Sequence, residues 1–423
     1  MATGGFFPAE PASISAAGLT NPEVEGLILK FLMNRGDVTG RGIAAQVKLP
    51  MRVLVHLLQG FKDERLVGYS GSAPGNDFVY RITDTGRERA REESRASTYY
   101  GAAPVPLADY VASVRAQALG LERPTPADLR RAFDGLLLND RMLARLGPAI
   151  TSGRAMFLYG PSGNGKTSIA ARLAAAYHEE LWIPRAISIS GTIVRLFDPV
   201  RHVELPAAEE PYSGAGAAPH ADARWVRIRR PTIMAGGELT MAQLEVTVNP
   251  VSGIAEAPLQ LKSNCGALVI DDFGRQRMHV GELLNRWIVP LESRHDYLFL
   301  ADGKSVEVPF EQFVVFSTNL EPSHLVDEAF LRRIPYKVMV GNPTEEEFQE
   351  LFRMVGEPLG VLYRREAVES LMTRHYRPVG RPLRFCHPRD LLLQVVNYCQ
   401  FLGRAPEMSD ETFEAAVENY FVG

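Results

Sequence analysis

The residues best suited to chemistry lie in the segment "AMFLYGPSGNGKTSIAARLAAAY", where an apolar run meets a glycine-rich turn, a lysine and a threonine. Gly160, Gly163 and Gly165 let the backbone around Pro161, Ser162 and Asn164 turn its N–H groups inward, forming a cradle for an anion. A helix opening after Gly165 adds a dipole that favours phosphate. Lys166 is then placed to neutralise the β- and γ-phosphates of a nucleotide, Thr167 to offer a hydroxyl to Mg²⁺, and Ser168 ends the binding segment. Further along, "CGALVIDDFG" is a short apolar run ending in two acids, Asp271 and Asp272, and "QFVVFSTNLEP" is another, ending at Asn319.

These side chains converge only if the apolar runs are neighbouring parallel strands, because such strands are buried on both faces and present their C-terminal ends to the ligand crevice. The stretch "PADLRRAFDGLLLNDRMLARLG" reads as helix leading into the first of them. Beyond the strands, Thr344 and Glu347 form a capping box ahead of Phe348, Leu351, Phe352 and Val355 on one helical face. Ser409 caps a last helix carrying Phe413, Ala416, Val417 and Tyr420, so the C-terminal fifth is expected to be a helical bundle. Two more segments sit between and within these elements: "LVDEAFLRRIPYKV", with Arg332 and Arg333, and "CHPRDLLLQVVNY", with Arg389.

Five motifs in this order resemble those of the AAA+ superfamily, over about Ala127 to Gly423. The resemblance implies an α/β P-loop core with a parallel sheet at 127–342, a helical lid at 343–423, and ATP hydrolysis. Asp271 would be the Walker B acid holding Mg²⁺ through water. Asp272 stands where the superfamily usually has the glutamate that orients and deprotonates the attacking water. One missing methylene moves that carboxylate by about 1.5 Å, and a misplacement of about 1 Å can cost some 100-fold in rate, so slow hydrolysis is expected. Asn319 matches sensor 1. Arg333, with Arg332 as second choice, matches the arginine that reaches the nucleotide of a neighbouring subunit, and a guanidinium suits the charge spread over a transferring phosphoryl group. Arg389 aligns as sensor 2 with the GNVREL motif of bacterial enhancer-binding activators, while Asp390 reads as a first-turn helix acid.

A finer likeness precedes Asn319. "DYLFLADGKSVEV" reads as strand, turn and strand, with Asp302-Gly303 as the turn, and resembles the pre-sensor-1 hairpin of enhancer-binding activators, MoxR-like ATPases, magnesium chelatases and replicative helicases. A second hairpin is expected before the Asp271 strand, where "RWVRIRRPTIMAGGELTMAQLEVTVNP" alternates, with Trp225, Arg227 and Arg229 on one face and Val226 and Ile228 on the other. Residues 198–260 are accordingly expected to be an insert, mobile over 198–223.

The N-terminal part runs helix, short helix, longer helix, two-stranded wing and polar helix. With "VYRITDTGRERA" it resembles the winged helix of bacterial MarR-like domains over 21–95. Arg52, His56, Gln59 and Lys62 would lie on the polar face of its recognition helix, with Arg81 and Arg87 flanking the wing. Up to residue 95 there are 12 Lys and Arg against 11 Asp and Glu, a weak basic footprint for phosphate binding. Protein docking is therefore weighed beside DNA binding. Residues 1–20 are expected to be a disordered tail and 96–126 a linker.

With 423 residues, 46% of them hydrophobic, and a formal net charge of −4, the chain can hold several cores but has no field to bind nucleic acid or anionic membrane as a whole. There is no long apolar run and no basic leader ahead of one, so neither membrane insertion nor secretion is expected. Three cysteines, too few for a disulfide framework, favour a reducing cytoplasm. The resulting expectation is a ring-forming, hexameric AAA+ ATPase of MoxR-like type that remodels or assembles a protein client. The alternatives are a DNA-directed motor or regulator using the winged helix, and a slow nucleotide-gated switch.

Overall fold

The computed structural model describes residues 6–206, 220–300 and 303–421. The first unit comprises α1 (Asn21–Arg35), β1 (Val38–Thr39), α2 (Gly40–Val47), α3 (Met51–Asp63), β2 (Val67–Ala73), β3 (Asp77–Ile82) and α4 (Asp84–Ser94). Glu23 accepts the Thr20 backbone N–H at 2.8 Å, which starts α1. The apolar faces read from the periodicity, Val24, Leu27 and Ile28 on α1 and Leu54, Leu58 and Phe61 on α3, meet in one core. A three-stranded sheet in the order β1-β3-β2 closes it.

Residues 6–20, expected to be disordered, are instead packed. Ala17 and Leu19 lie in the core of the first unit, Phe6 packs on Trp225 with ring centroids 5.1 Å apart, and the Asp222 N–H donates to the Pro8 carbonyl at 2.8 Å. Apolar anchors spaced along a short, low-charge segment offset its ordering cost, although they have no periodicity to announce them.

The expected linker is also structured. Thr98 donates its backbone N–H to Ser252 at 2.8 Å, and β4 (Val105–Pro106) and α5 (Leu107–Ala116) follow. On α5 the buried Tyr110 donates its hydroxyl to the Leu261 carbonyl at 3.0 Å and accepts from Asn264 at 2.8 Å.

The helical stretch before the P-loop splits into α6 (Pro126–Ala132) and α7 (Asp140–Ser152), and leads to β5 (Met156–Tyr159). The helix after the glycine loop, α8 (Lys166–Ala170), is far shorter than its alanine-rich sequence suggests. The chain then leaves for an inserted layer of β6 (Glu180–Pro184), β7 (Ala186–Ile189), β8 (Thr192–Arg195) and β9 (Trp225–Arg229). It returns as β10 (Thr232–Ala235), visits the inserted layer again with β11 (Thr247–Val248), β12 (Ala255–Glu256) and α9 (Leu259–Lys262), and enters β13 (Ala267–Ile270). Next come α10 (Val280–Ser293), the hairpin β14 (His295–Phe299) and β15 (Ser305–Pro309), then β16 (Phe313–Thr318), α11 (Glu328–Arg333) and β17 (Tyr336–Met339).

The central sheet has the order β10-β13-β16-β5-β17, with each neighbouring pair parallel. The strand that ends near Asn319 thus lies between those leading to the glycine loop and to Asp271. Four helices, α12 (Glu345–Gly356), α13 (Arg365–His375), α14 (His387–Phe401) and α15 (Asp410–Tyr420), form the C-terminal bundle around Phe348, Phe352, Leu391 and Phe413.

The second hairpin expected before Asp271 does not form. Its first half is β9, paired antiparallel with β6, and Trp225, Val226 and Ile228 are all buried. Its second half supplies β10, the edge of the central sheet. Apolar residues on both faces of β9 bury it between layers and leave no exposed ribbon to project. The inserted layer also draws on β4 and β6–β8, outside the expected 198–260. Residues 207–219 of the expected mobile stretch lie outside the described residues. Among the described residues, no helix is long and apolar enough to cross a membrane, and Cys265, Cys386 and Cys399 are free thiols.

Candidate functional site

The glycine loop begins where β5 ends. Gly160, Gly163 and Gly165 adopt φ of 137°, 79° and 79°, conformations that L side chains rarely adopt. At Gly163 a Cβ would also stand 2.6 Å from the Cys386 Sγ. Lys166 is buried and donates its Nζ to the carbonyls of Gly160 and Pro161 at 2.8 and 2.9 Å and to Asn319 Oδ1 at 2.6 Å. Burial pushes its pKa below the ordinary lysine value; Asp271 and Asp272 push it back up, and Arg384 lowers it.

Thr167 donates its hydroxyl to Asp271 Oδ2 at 2.8 Å. Asp272 donates its backbone N–H to Asp271 Oδ1 at 3.1 Å, and its own Oδ1 lies 3.5 Å from Asn319 Nδ2. The β13, β16 and β5 ends thus bring Lys166, Thr167, Asp271, Asp272 and Asn319 into one hydrogen-bonded set, the convergence expected from the sequence. Asp272 has φ of 48°. Asp and Asn are enriched in this left-handed region because a short polar side chain can bond locally. The backbone thus gives a physical reason for aspartate at this position.

These residues line a cavity of about 1010 Å³ together with Ser162, Asn164, Ser168, Arg389 and Asp390. Apolar side chains line it as well, among them Leu136, Leu138 and Met142 from the α6–α7 region, Val340 after β17, and Leu351 and Val355 on α12. Phosphate donors and apolar surface in one cavity suit a nucleotide, which has a charged and an aromatic half. Thr167 and Asp271 are hard oxygen donors of the kind that suits Mg²⁺, which keeps waters and phosphate oxygens in its shell and needs few protein ligands.

Several further contacts join the sequence motifs to one another and to residues outside them, among them Asn139, Gln276, Asn342 and Arg384. Asn164 donates to Asn342 Oδ1 at 2.8 Å, Arg384 reaches the same oxygen at 2.5 Å, and the Cys386 N–H donates to the Gly163 carbonyl at 2.9 Å. Gln276 braces the acidic turn through the Asp271 carbonyl at 2.9 Å. Asn139, capping α7, donates to Glu347 at 2.8 Å and ties the bundle to the core across the cavity. No motif links residues so far apart; only the basic run around Arg384 offers a signal.

Arg332 and Arg333 lie elsewhere. Arg333 precedes β17, whose first residue, Tyr336, is level with Met156, the first residue of β5. Both arginines are therefore at the N-terminal edge of the sheet, while the glycine loop is at its C-terminal edge, roughly 13 Å away for a four-residue strand. They line a second cavity of about 420 Å³. Arg333 pairs with Glu292 at 2.7 Å.

A family model described as a domain of unknown function (DUF8689) matches residues 344–419, the C-terminal bundle. No curated protein matches the chain. Among solved structures, a Thermotoga maritima RuvB P216G mutant is 13% identical, covering 68% of this chain and 72% of its own, at a TM-score of 0.40. NtrX from Brucella abortus is 15% identical at a TM-score of 0.42, covering 69% of this chain and 57% of its own. The same protein in complex with ADP is 15% identical at 0.40, covering 69% and 56%. The likenesses are distant, and it is the geometry around Lys166 and Asp271 that bears on function.

Proposed function

We propose that the chain is an AAA+ ATPase that hydrolyses ATP at subunit interfaces and uses the cycle to remodel or assemble a protein client. The observation that carries this reading is the convergence of Lys166, Thr167, Asp271, Asp272 and Asn319 at one edge of a parallel sheet. In it, Lys166 and the glycine-loop N–H groups hold the β- and γ-phosphates. Thr167 and Asp271 would hold Mg²⁺, which would supply positive charge to offset that of the phosphates. Asp272 and Asn319 orient the attacking water, Asp272 accepting its proton. Arg389, on α14, faces the same cavity and reports the γ-phosphate to the bundle.

Hydrolysis in trans is supported by the distance of Arg333 from its own glycine loop, and implies an oligomer, proposed to be a hexameric ring. The hairpin β14–β15 exposes Tyr297 and Phe299 on one face, a surface for the client. The first unit is proposed to be a winged helix that docks protein. Arg52 is paired with Glu10 at 2.6 Å and Arg81 with Asp37 at 2.6 Å, so two of its candidate phosphate contacts already have an acidic partner that a phosphate would have to displace.

The test is turnover and ATP affinity of Arg333→Ala. ATP binding should stay near normal while turnover falls by about 10³ to 10⁵. A strictly monomeric preparation that hydrolyses at the full rate overturns the reading. For the client, Asp272→Asn used as bait should retain protein; recovery of nucleic acid would favour the DNA-directed alternative.

A further inference from the structure

The second cavity holds more than the two arginines of α11. Arg154, from the turn between α7 and β5, lines it beside Arg332, Arg333 and Glu292. Three guanidinium groups face one carboxylate there, a formal surplus of two positive charges in a single concavity. Arg333 is committed within its own subunit, its Nε to Glu292 at 2.7 Å and its Nη1 to the Ala329 carbonyl at 2.8 Å. Arg154 is exposed, and its side chain makes no hydrogen bond or ion pair with the described residues.

The backbone of Arg154 is well fixed. Gly153 caps α7 in the left-handed conformation, the Arg154 N–H donates to Ser152 Oγ at 3.2 Å, and Ala155 and Met156 beyond it are buried. A guanidinium with no partner among the described residues gives up no ion pair on engaging an anion, and its planar fork fits phosphate oxygens in pairs.

We propose that Arg154 is a further trans-acting arginine, contacting the phosphates of the nucleotide bound by the adjacent subunit. The inference rests on hydrolysis at subunit interfaces, and it adds a route between sites. Arg154 and Gly160 lie on one continuous segment through β5, roughly 20 Å long at strand rise. A phosphate contact on Arg154 therefore pulls on the strand that carries the glycine loop of its own subunit. Arg333 leads instead through β17 to Val340 on the nucleotide cavity, whereas only Arg154 lies on the strand that runs into the glycine loop.

The experiment compares Arg154→Ala, Arg333→Ala and Lys166→Ala in the full chain, by calorimetry for ATP affinity and by phosphate release for turnover. Arg154→Ala should keep ATP affinity and lower turnover by about 10- to 100-fold, the range of one charge-assisted contact. Adding Lys166→Ala subunits, which present Arg154 but bind no nucleotide, should restore part of that activity in mixed assemblies. If Arg333→Ala loses turnover and Arg154→Ala does not, the role of Arg154 is wrong and the interface reading stands. If both keep full turnover, the interface reading fails and takes this proposal with it. Loss that mixed assemblies do not restore means that Arg154 supports its own subunit, which also overturns the proposal.

Discussion

Asp272→Asn separates charge from shape at the proposed water-orienting position. Asn occupies the left-handed region as readily as Asp, so φ of 48° is kept and the fold should be unchanged. What is lost is a carboxylate 3.5 Å from the Asn319 amide, next to the place where a water would attack. General-base contributions are about 10² to 10⁴, so turnover should fall by that factor, or about 3 to 5 kcal/mol of barrier at about 1.36 kcal/mol per tenfold. Affinity should move the other way. Asp272 is exposed, so a water-like dielectric applies, and a carboxylate about 6 Å from a phosphate charge then repels it by about 0.7 kcal/mol. Removing it should tighten ATP binding by about threefold. Calorimetry and single-turnover phosphate release read both quantities on one preparation. Turnover at the wild-type rate, or loss of ATP binding in a folded protein, would refute the assignment. Asp272→Glu is the companion: a longer side chain in the left-handed region should cost about 1 kcal/mol of stability, read by denaturant unfolding.

Lys166→Ala removes a buried donor with three oxygen partners and should weaken ATP binding by more than about 100-fold, since each charge-assisted contact is worth roughly 1.5–3 kcal/mol; unchanged affinity by calorimetry would sink the phosphate site. His387 is held at a pKa of about 4, below its ordinary 6.5, chiefly by burial. The unfolded chain therefore takes up a proton first, so this contribution is complete above pH 6.5 and is lost as pH falls toward 4, on the order of 2 kcal/mol. A His387→Gln bundle should show a flatter melting profile between those pH values, and an equally steep one would contradict the assignment. Because Arg52 and Arg81 are paired in cis, duplex DNA should bind no tighter than the non-specific range of about 10⁻⁴ to 10⁻⁶ M. Tighter, salt-sensitive binding that weakens in Arg52→Ala/Lys62→Ala would reverse the ranking of protein over DNA.

Much of the site is legible in the sequence because its parts are local. The glycine loop, the two acids and Asn319 each end an apolar run, and three such runs imply parallel strands whose ends meet. The helical faces of the first unit and the bundle are equally plain, since their apolar residues follow helical spacing. The illegible parts depend on contacts between distant residues. The β10 segment reads like a surface ribbon, but it pairs with β13. The run after Lys166 has good helix formers, yet the α-helix stops at Ala170 and a short 3₁₀ turn, Leu173–Ala176, packs into the core before the inserted layer begins; propensity yields there to tertiary packing. Arg384 and Asn342 are ordinary surface residues until the fold sets them beside Asn164. The low-complexity look of the first twenty residues conceals anchors that matter singly rather than in a pattern.

Those anchors bear on how force passes through the molecule. Residues ahead of α1 run past Trp225 and His220, and residues after α4 are hydrogen-bonded to Ser252. The buried Arg224, paired with Asp222, also donates to the carbonyls of Ala17 and Pro104, one on each side of the first unit in sequence. The first unit is thus clamped at both chain ends to the inserted layer, like a handle bolted at two points. A load taken up there is shared between two attachments and enters through the inserted layer, bypassing the seam between central sheet and C-terminal bundle where the nucleotide cavity lies.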